Sequence, residues 1–224
     1  MFDNLLAFWK GKDFLTQVLG EFKEMLDQTE DMFVTVCGTL LDNVENKDLK
    51  KKTYSIDKKV NSLQKDIRKR IVTHLSLQPT VDANACLLLM SVVKDAERLG
   101  DYSKNLYEVT KLLDEPIDRE MFSKYFDALD KEIIKLFKQT KDAFMGSDDK
   151  KAGASWDYEV KISKRCDSII EELAKSNLSV NQGICFTLIA RHFKRIAGHL
   201  INIATSVILP LDELDYFDEK AITD

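Results

Sequence analysis

The sequence predicts an all-α protein of two tandem antiparallel three-helix bundles packed side by side, and three observations carry that expectation. Apolar residues recur close to the helical period through most of the chain. Only 8 Gly and 3 Pro punctuate 224 residues, too few for many strands and turns but enough to separate long helices. The helical segments also fall into two similar sets divided at Pro116, as duplication of one supersecondary unit produces.

Residues 1–12 form a lead segment in which "MFDNLLAFW" presents Phe2, Leu5, Leu6, Phe8 and Trp9. Packing on the bundle end and docking of a protein partner are both open to it; the acidic neighbours disfavour lipid. The first repeat is expected over 13–115. Its first helix runs from about Asp13 to Leu41, with Phe14, Leu15, Val18, Leu19, Phe22, Met25, Leu26, Met32, Phe33, Val36 and Leu40 in helical register. A second, from near Lys47 to about His74, stops at "SLQPTVD", because Pro79 disfavours helix at the residue before it. The third spans about Asp82 to Leu113 and ends at "DEPIDRE".

The second repeat is expected over 116–209. One helix is read from Glu120 to about Phe144, and "MGSDDKKAGAS" as a loop or weak junction. Helices from Tyr158 to about Ala174 and from Val180 to Ile208 follow, the last ended by Pro210. The acidic tail, 210–224, is expected to be partly disordered. "DANACLLLMSVVKDAERLGDYSKNL" aligns with "SVNQGICFTLIARHFKRIAGHLINI" at a constant offset of 97, pairing Arg98 with Arg195 and Asn105 with Asn202.

Composition excludes several classes of function. A net charge of −5 argues against a nucleic-acid binder, which needs a basic surface to neutralise phosphates. The local basic run "KDLKKKTYSIDKK", with Lys47, Lys50, Lys51, Lys52, Lys58 and Lys59, reads as a solvated helix start. Cys37, Cys86, Cys166 and Cys185 are scattered without a CxxC pair and read as small core residues in a reducing compartment. The run "CLLLMSVV" is far too short to cross a bilayer, and the N-terminus lacks a signal-peptide pattern, so a cytoplasmic protein is expected. None of His74, His192 and His199 lies in a Glu-x-x-His pattern, which weighs against a ferritin-like di-iron oxidase. His199 reads as a core or interhelix hydrogen-bonding residue. No phosphate-binding glycine loop or Ser-His-Asp arrangement is present to suggest catalysis.

The stretch "KDAERLGDYSKN" carries the candidate chemistry. On a helical wheel Val93, Ala96, Leu99, Gly100, Ser103 and Leu106 share one side, with Glu97, Asp101, Asn105 and Glu108 at its edge. Gly100 thus lies in the buried sector, where a missing side chain lets a neighbouring helix approach closely. Glu97 and Asp101, at i and i+4, point the same way about 5–6 Å apart and repel unless neutralised. A metal ion, an arginine or solvent can each neutralise them. Hard oxygen ligands suit Mg, Ca, Mn or Fe, and Asp57 on the preceding helix can complete the set, with Asn61 one turn on. Arg98, three residues from both Asp95 and Asp101, offers ion pairs instead.

A duplicated three-helix unit whose third helix carries this motif resembles the PhoU family of phosphate-transport regulators, whose repeats carry an E-R-I-G-D-H-x-x-N-I-A-E signature. "ERLGDYSKNLYE" matches it through Glu97, Arg98, Leu99, Gly100, Asp101, Asn105 and Glu108, with Tyr102 in place of His. "KRIAGHLINIA" matches through Arg195, Ile196, His199, Asn202, Ile203 and Ala204. The resemblance covers about residues 14–208. It implies a non-enzymatic cytoplasmic regulator, often a homodimer, peripheral to the membrane through a phosphate transporter and acting also on a sensor histidine kinase. It implies metal binding through the E/DxxxD pairs, hence one site of Fe, Zn, Mg or Ca on Asp57, Glu97 and Asp101.

The departures limit that expectation. Lys194 and Gly198 stand where the second repeat should carry its Glu and Asp, so no metal is expected there, and Asp167 is expected to pair with Lys194. The degenerate second repeat suggests a divergent member serving a phosphate transporter other than the ATP-driven kind. A metal-dependent helical-bundle enzyme and a metal-free helical adaptor are the alternatives.

Overall fold

The computed structural model describes residues 13–42 and 47–216, which form seven α-helices and one short 3-10 turn, with no strand among them. The lead segment singled out from the sequence lies outside the described residues. Helices α1 (Asp13–Asp42), α2 (Lys47–Leu77) and α3 (Ala83–Val109) make the first repeat. The second contains α4 (Arg119–Phe126), α5 (Leu129–Gly146), α6 (Asp149–Ala174) and α7 (Val180–Thr205). The tandem three-helix architecture is therefore present, with α4 and α5 together standing where α1 stands in the first repeat.

The contacts define a simple arrangement. Helices α1, α3, α7 and α5 form a ring in which each touches the next, while among the described residues α2 packs chiefly on α1 and α3, and α6 chiefly on α5 and α7. The two bundles thus share one continuous core through their inner helices, and α2 and α6 are its outer flanks. Helix α1 has to be apolar on a broad face to serve three neighbours, and Leu15, Val18, Phe22, Met25, Leu26, Phe33 and Val36 are all fully buried. Phe22 meets Phe144 at 4.9 Å, and Phe33 meets Phe137 and Phe193 at 5.7 Å each, joining α1 to α5 and α7. Each fully buried aromatic of this kind contributes about 1.5–3 kcal/mol through the area it removes from water. At the rim of the same seam Lys141 binds Asp27 at 2.9 Å and also reaches Glu30.

Three local expectations are corrected. The helix read from Glu120 to Phe144 is broken, because Asp127 (φ 40°) and Ala128 (φ 58°) are both left-handed. The break lets Phe122 and Phe126 of α4 pack on Phe186 of α7, with Phe126 also reaching Phe193. The junction "MGSDDKKAGAS" shrinks to Ser147 and Asp148, since the Asp148 side chain accepts from Lys151 N and starts α6 well before Tyr158. Of the tail, residues 210–216 lie on the bundle, with the turn Leu211–Glu213 contacting α3 and Leu211 packing against the core, and 217–224 lie outside the described residues. Gly100 is buried, but a Cβ there would meet Thr29 Cγ2 at 3.6 Å and Val60 Cγ1 at 3.8 Å, which is ordinary contact. The neighbouring helices do not require glycine at that position.

Candidate functional site

The acidic face of the first repeat is assembled by α2 and α3. Antiparallel packing brings Asp57 opposite the turn of α3 that carries Glu97 and Asp101, as their spacing predicts. The cation among them is a side chain. Lys104, three residues past Asp101 on the same face, places its Nζ 2.8 Å from Asp57 Oδ1 and 3.1 Å from Asp101 Oδ1. Arg98 takes the other oxygen of Asp101 at 2.9 Å and lies 3.8 Å from Glu97. Burial works to lower the pKa of Lys104, but its hydrogen bonds to Asp57 and Asp101 overcome that and raise it. Glu97, without a close hydrogen-bonding cation of its own, has its pKa raised, first by burial and then by the charges of Asp101 and Asp57, against the opposing pull of Arg98 and Lys104.

These residues do not fit a bound metal as they are arranged. The ammonium of Lys104 holds the position from which an ion would bridge Asp57 and Asp101. Among the described residues no three His, Cys, Asp or Glu side chains are grouped to hold a metal ion. Glu108, the last acid of the signature, accepts a hydrogen bond from Tyr54 at 2.8 Å and is engaged too. Lys104 escaped the sequence reading although its i+3 spacing from Asp101 was visible; its reach to Asp57 on another helix was not.

In the second repeat Lys194 pairs with Asp167 at 2.5 Å, as expected from the sequence. With glycine at 198, nothing lies within 4 Å of where its Cβ would be, and a groove of about 450 Å³ opens beside Lys194, Asn202 and Trp156. Both repeats therefore answer their acids on this face with a lysine.

The third cluster lies where α3 crosses α7. Asp95, only 4% exposed, receives His199 Nδ1 at 2.7 Å and the Asn202 amide at 3.2 Å. Tyr102 stacks on His199 with centroids 5.5 Å apart and lies 5.9 Å from His192. Burial lowers the pKa of His192. His199 is thus an interhelix hydrogen-bonding residue, one of the two roles expected of it from the sequence. The four cysteines are buried, and burial raises every thiol, Cys86 to about 11 and Cys166 to about 12, so they stay protonated and unreactive.

The PhoU domain matches the chain twice, over residues 22–110 and 120–207. A phosphate-specific transport system accessory protein PhoU homolog of Caulobacter vibrioides is 23% identical over 66% of this chain and 67% of its own length. The PhoU homolog 1 of Thermotoga maritima is 25% identical over 84% of this chain and 75% of its own. The crystal structure of PhoU from Pseudomonas aeruginosa superposes with a TM-score of 0.74 at 20% identity, covering 87% of this chain and 95% of that one. For the Streptococcus pneumoniae phosphate transport system regulatory protein PhoU the values are 0.72, 19%, 96% and 97%. The structural likenesses establish the fold, and the paired domain matches establish more: the chain belongs to the PhoU family.

Proposed function

We propose that this protein regulates phosphate uptake by direct contact with a phosphate transporter, and that it is not an enzyme. The observation that supports this most strongly is the double PhoU domain, which occupies both repeats and leaves no separate domain among the described residues for another activity. Curated relatives named as accessory proteins of phosphate-specific transport systems point the same way. The working surfaces in this reading are helical faces. Signalling to a sensor histidine kinase and homodimer formation belong to the same proposal. No helix among the described residues is long and apolar enough to cross a membrane.

Within this reading the metal-free form is favoured, because Lys104 and Lys194 supply positive charge directly to the acids of the two repeats. The test is capture of the tagged full-length chain from its own cells after detergent solubilisation, together with phosphate uptake in a deletion strain. Co-purification of a phosphate transporter and altered uptake are expected. Recovery of no such transporter, with uptake unchanged, would overturn the proposal.

A further inference from the structure

The two outer helices hold equivalent places in the fold but differ sharply in charge. Helix α6 carries five lysines and arginines against six acids, whereas α2 carries ten against three, a net +7. In a chain of net −5 the remaining residues therefore carry −12. Among the described residues α2 packs chiefly on α1 and α3, and the side turned away from them is exposed along its length.

The basic residues of α2 divide by direction. Lys52, Lys59 and Arg70 turn inward and pair with Asp31, Glu24 and Glu21 of α1. Lys51, Lys58, Lys65 and Lys69 lie along the opposite face, are exposed, and make no ion pair among the described residues. At helical rise this line extends about 27 Å. Only Ser55 and Ser62 interrupt it, both exposed and too short to keep a phosphate away. Asp48 and Asp66 flank the line without entering it.

We infer that this lysine line is a docking surface for anionic phospholipid headgroups. A specific protein interface concentrates its affinity in buried aromatic residues and arginines seated in pockets. The line contains neither. Lysines are compact, strongly hydrated charges on flexible stems, suited to a diffuse anionic plane more than to bidentate recognition. At the end of the same helix Val72 and Leu77 are 56% and 77% exposed and supply shallow apolar contact. A planar membrane meets one face of the molecule and leaves its acidic remainder in water. Each lysine near such a surface contributes about fivefold to partitioning, so four contribute on the order of several hundredfold.

This surface goes beyond the transporter reading and does not rest on it, since capture in detergent tests that reading without a bilayer. The experiment is co-sedimentation of the full-length chain with vesicles of phosphatidylcholine alone or mixed with phosphatidylglycerol. Binding is expected to the mixed vesicles only, and to be lost toward about 1 M salt, where the Debye length falls to about 3 Å. The variant K51Q/K58Q/K65Q/K69Q, which breaks no ion pair among the described residues, should bind at least about 100-fold more weakly. The matched variant K150Q/K151Q/K161Q/K164Q on α6 should bind as the wild type does. Failure of the wild type to sediment with anionic vesicles, or an equal loss in the α6 variant, would overturn the inference. Retention of duplex DNA in preference to vesicles, lost in the α2 variant, would also overturn it and assign the line to nucleic acid.

Discussion

Tyr102 and His199 occupy equivalent positions of the two repeats and stack on each other, their ring planes 21° apart. The pseudo-twofold relation between the repeats therefore passes between these rings, and α3 and α7 cross at their own signature segments. The duplication is asymmetric there. Asp95 is buried on one side, and its counterpart in the second repeat is His192. His199→Ala would leave the Asp95 carboxylate with the Asn202 amide alone. A loss of about 2 kcal/mol is expected, the usual cost of stranding a buried acceptor. The double variant D95N/H199A should lose less than the sum of its single changes, because the pair is coupled. Urea unfolding of the four proteins measures both. An unchanged midpoint in H199A would show that this pair does not hold the junction.

Lys104 gives a second prediction. Lys104→Met leaves Asp57, Glu97 and Asp101 facing one another without their shared cation. The side chains are 14–26% exposed, so a loss of about 1–2 kcal/mol is expected, below the range for fully buried pairs. Divalent manganese or zinc should restore part of the Tm of this variant while leaving the wild type unmoved, and a chelator should leave the wild type unmoved as well. A wild-type Tm that rises with added metal would show that the ion displaces Lys104.

Glu97 predicts a pH dependence. Its carboxyl titrates above the ordinary glutamate value of 4.5 in the folded chain, owing first to burial and then to Asp101. Such a group favours the folded state below its unfolded pKa, and that contribution is lost as pH rises through the folded pKa. Glu97→Gln should therefore stabilise the protein at neutral pH, by less than about 1 kcal/mol for a group still in touch with solvent. The gain should fade below about pH 4, as Glu97 becomes protonated in the folded and the unfolded chain alike. Thermal unfolding of the two proteins across pH 3.5–8 reads this, and a gain that persists at the acid end contradicts it.

How much of this was legible follows from the range of each interaction. The long helices were readable because apolar period and proline stops are local, and Pro79, Pro116 and Pro210 all lie at or between helix ends. The break at Asp127–Ala128 was not, since no Gly or Pro marks it. Its gain is contact between Phe126 and Phe193, far apart in the sequence. The approach of Asp57 to Glu97 and Asp101 was readable from i, i+4 spacing on antiparallel neighbours. The bond from Lys104 to Asp57 required knowing the side-chain direction across two helices. Asp95 with His199 required the docking of one repeat on the other, which no local pattern encodes.

The unmarked break is itself testable. Ala128 is exposed and held at φ 58°, where a Cβ costs about 1 kcal/mol and glycine nothing. Ala128→Gly removes no packing, so the relief should outweigh the added freedom of the unfolded chain, for a net gain of about 0.5 kcal/mol. A lower urea midpoint in this variant would mean that the left-handed turn is not populated in solution.

Gly100 yields the opposite substitution. It sits within α3, where glycine weakens a helix by about 0.5–1 kcal/mol relative to alanine. Close approach of α1 and α2 would offset that only if a methyl group had no room. The distances of 3.6 Å to Thr29 and 3.8 Å to Val60 leave room without displacing either. Both neighbours are buried, so a Cβ would add dispersion contact on arrival. Gly100→Ala should therefore stabilise the chain by about 0.5–1 kcal/mol, raising the urea midpoint without altering the slope. A destabilised variant would show that the helices close more tightly around Gly100 than these distances state, and that glycine at the signature position serves packing after all.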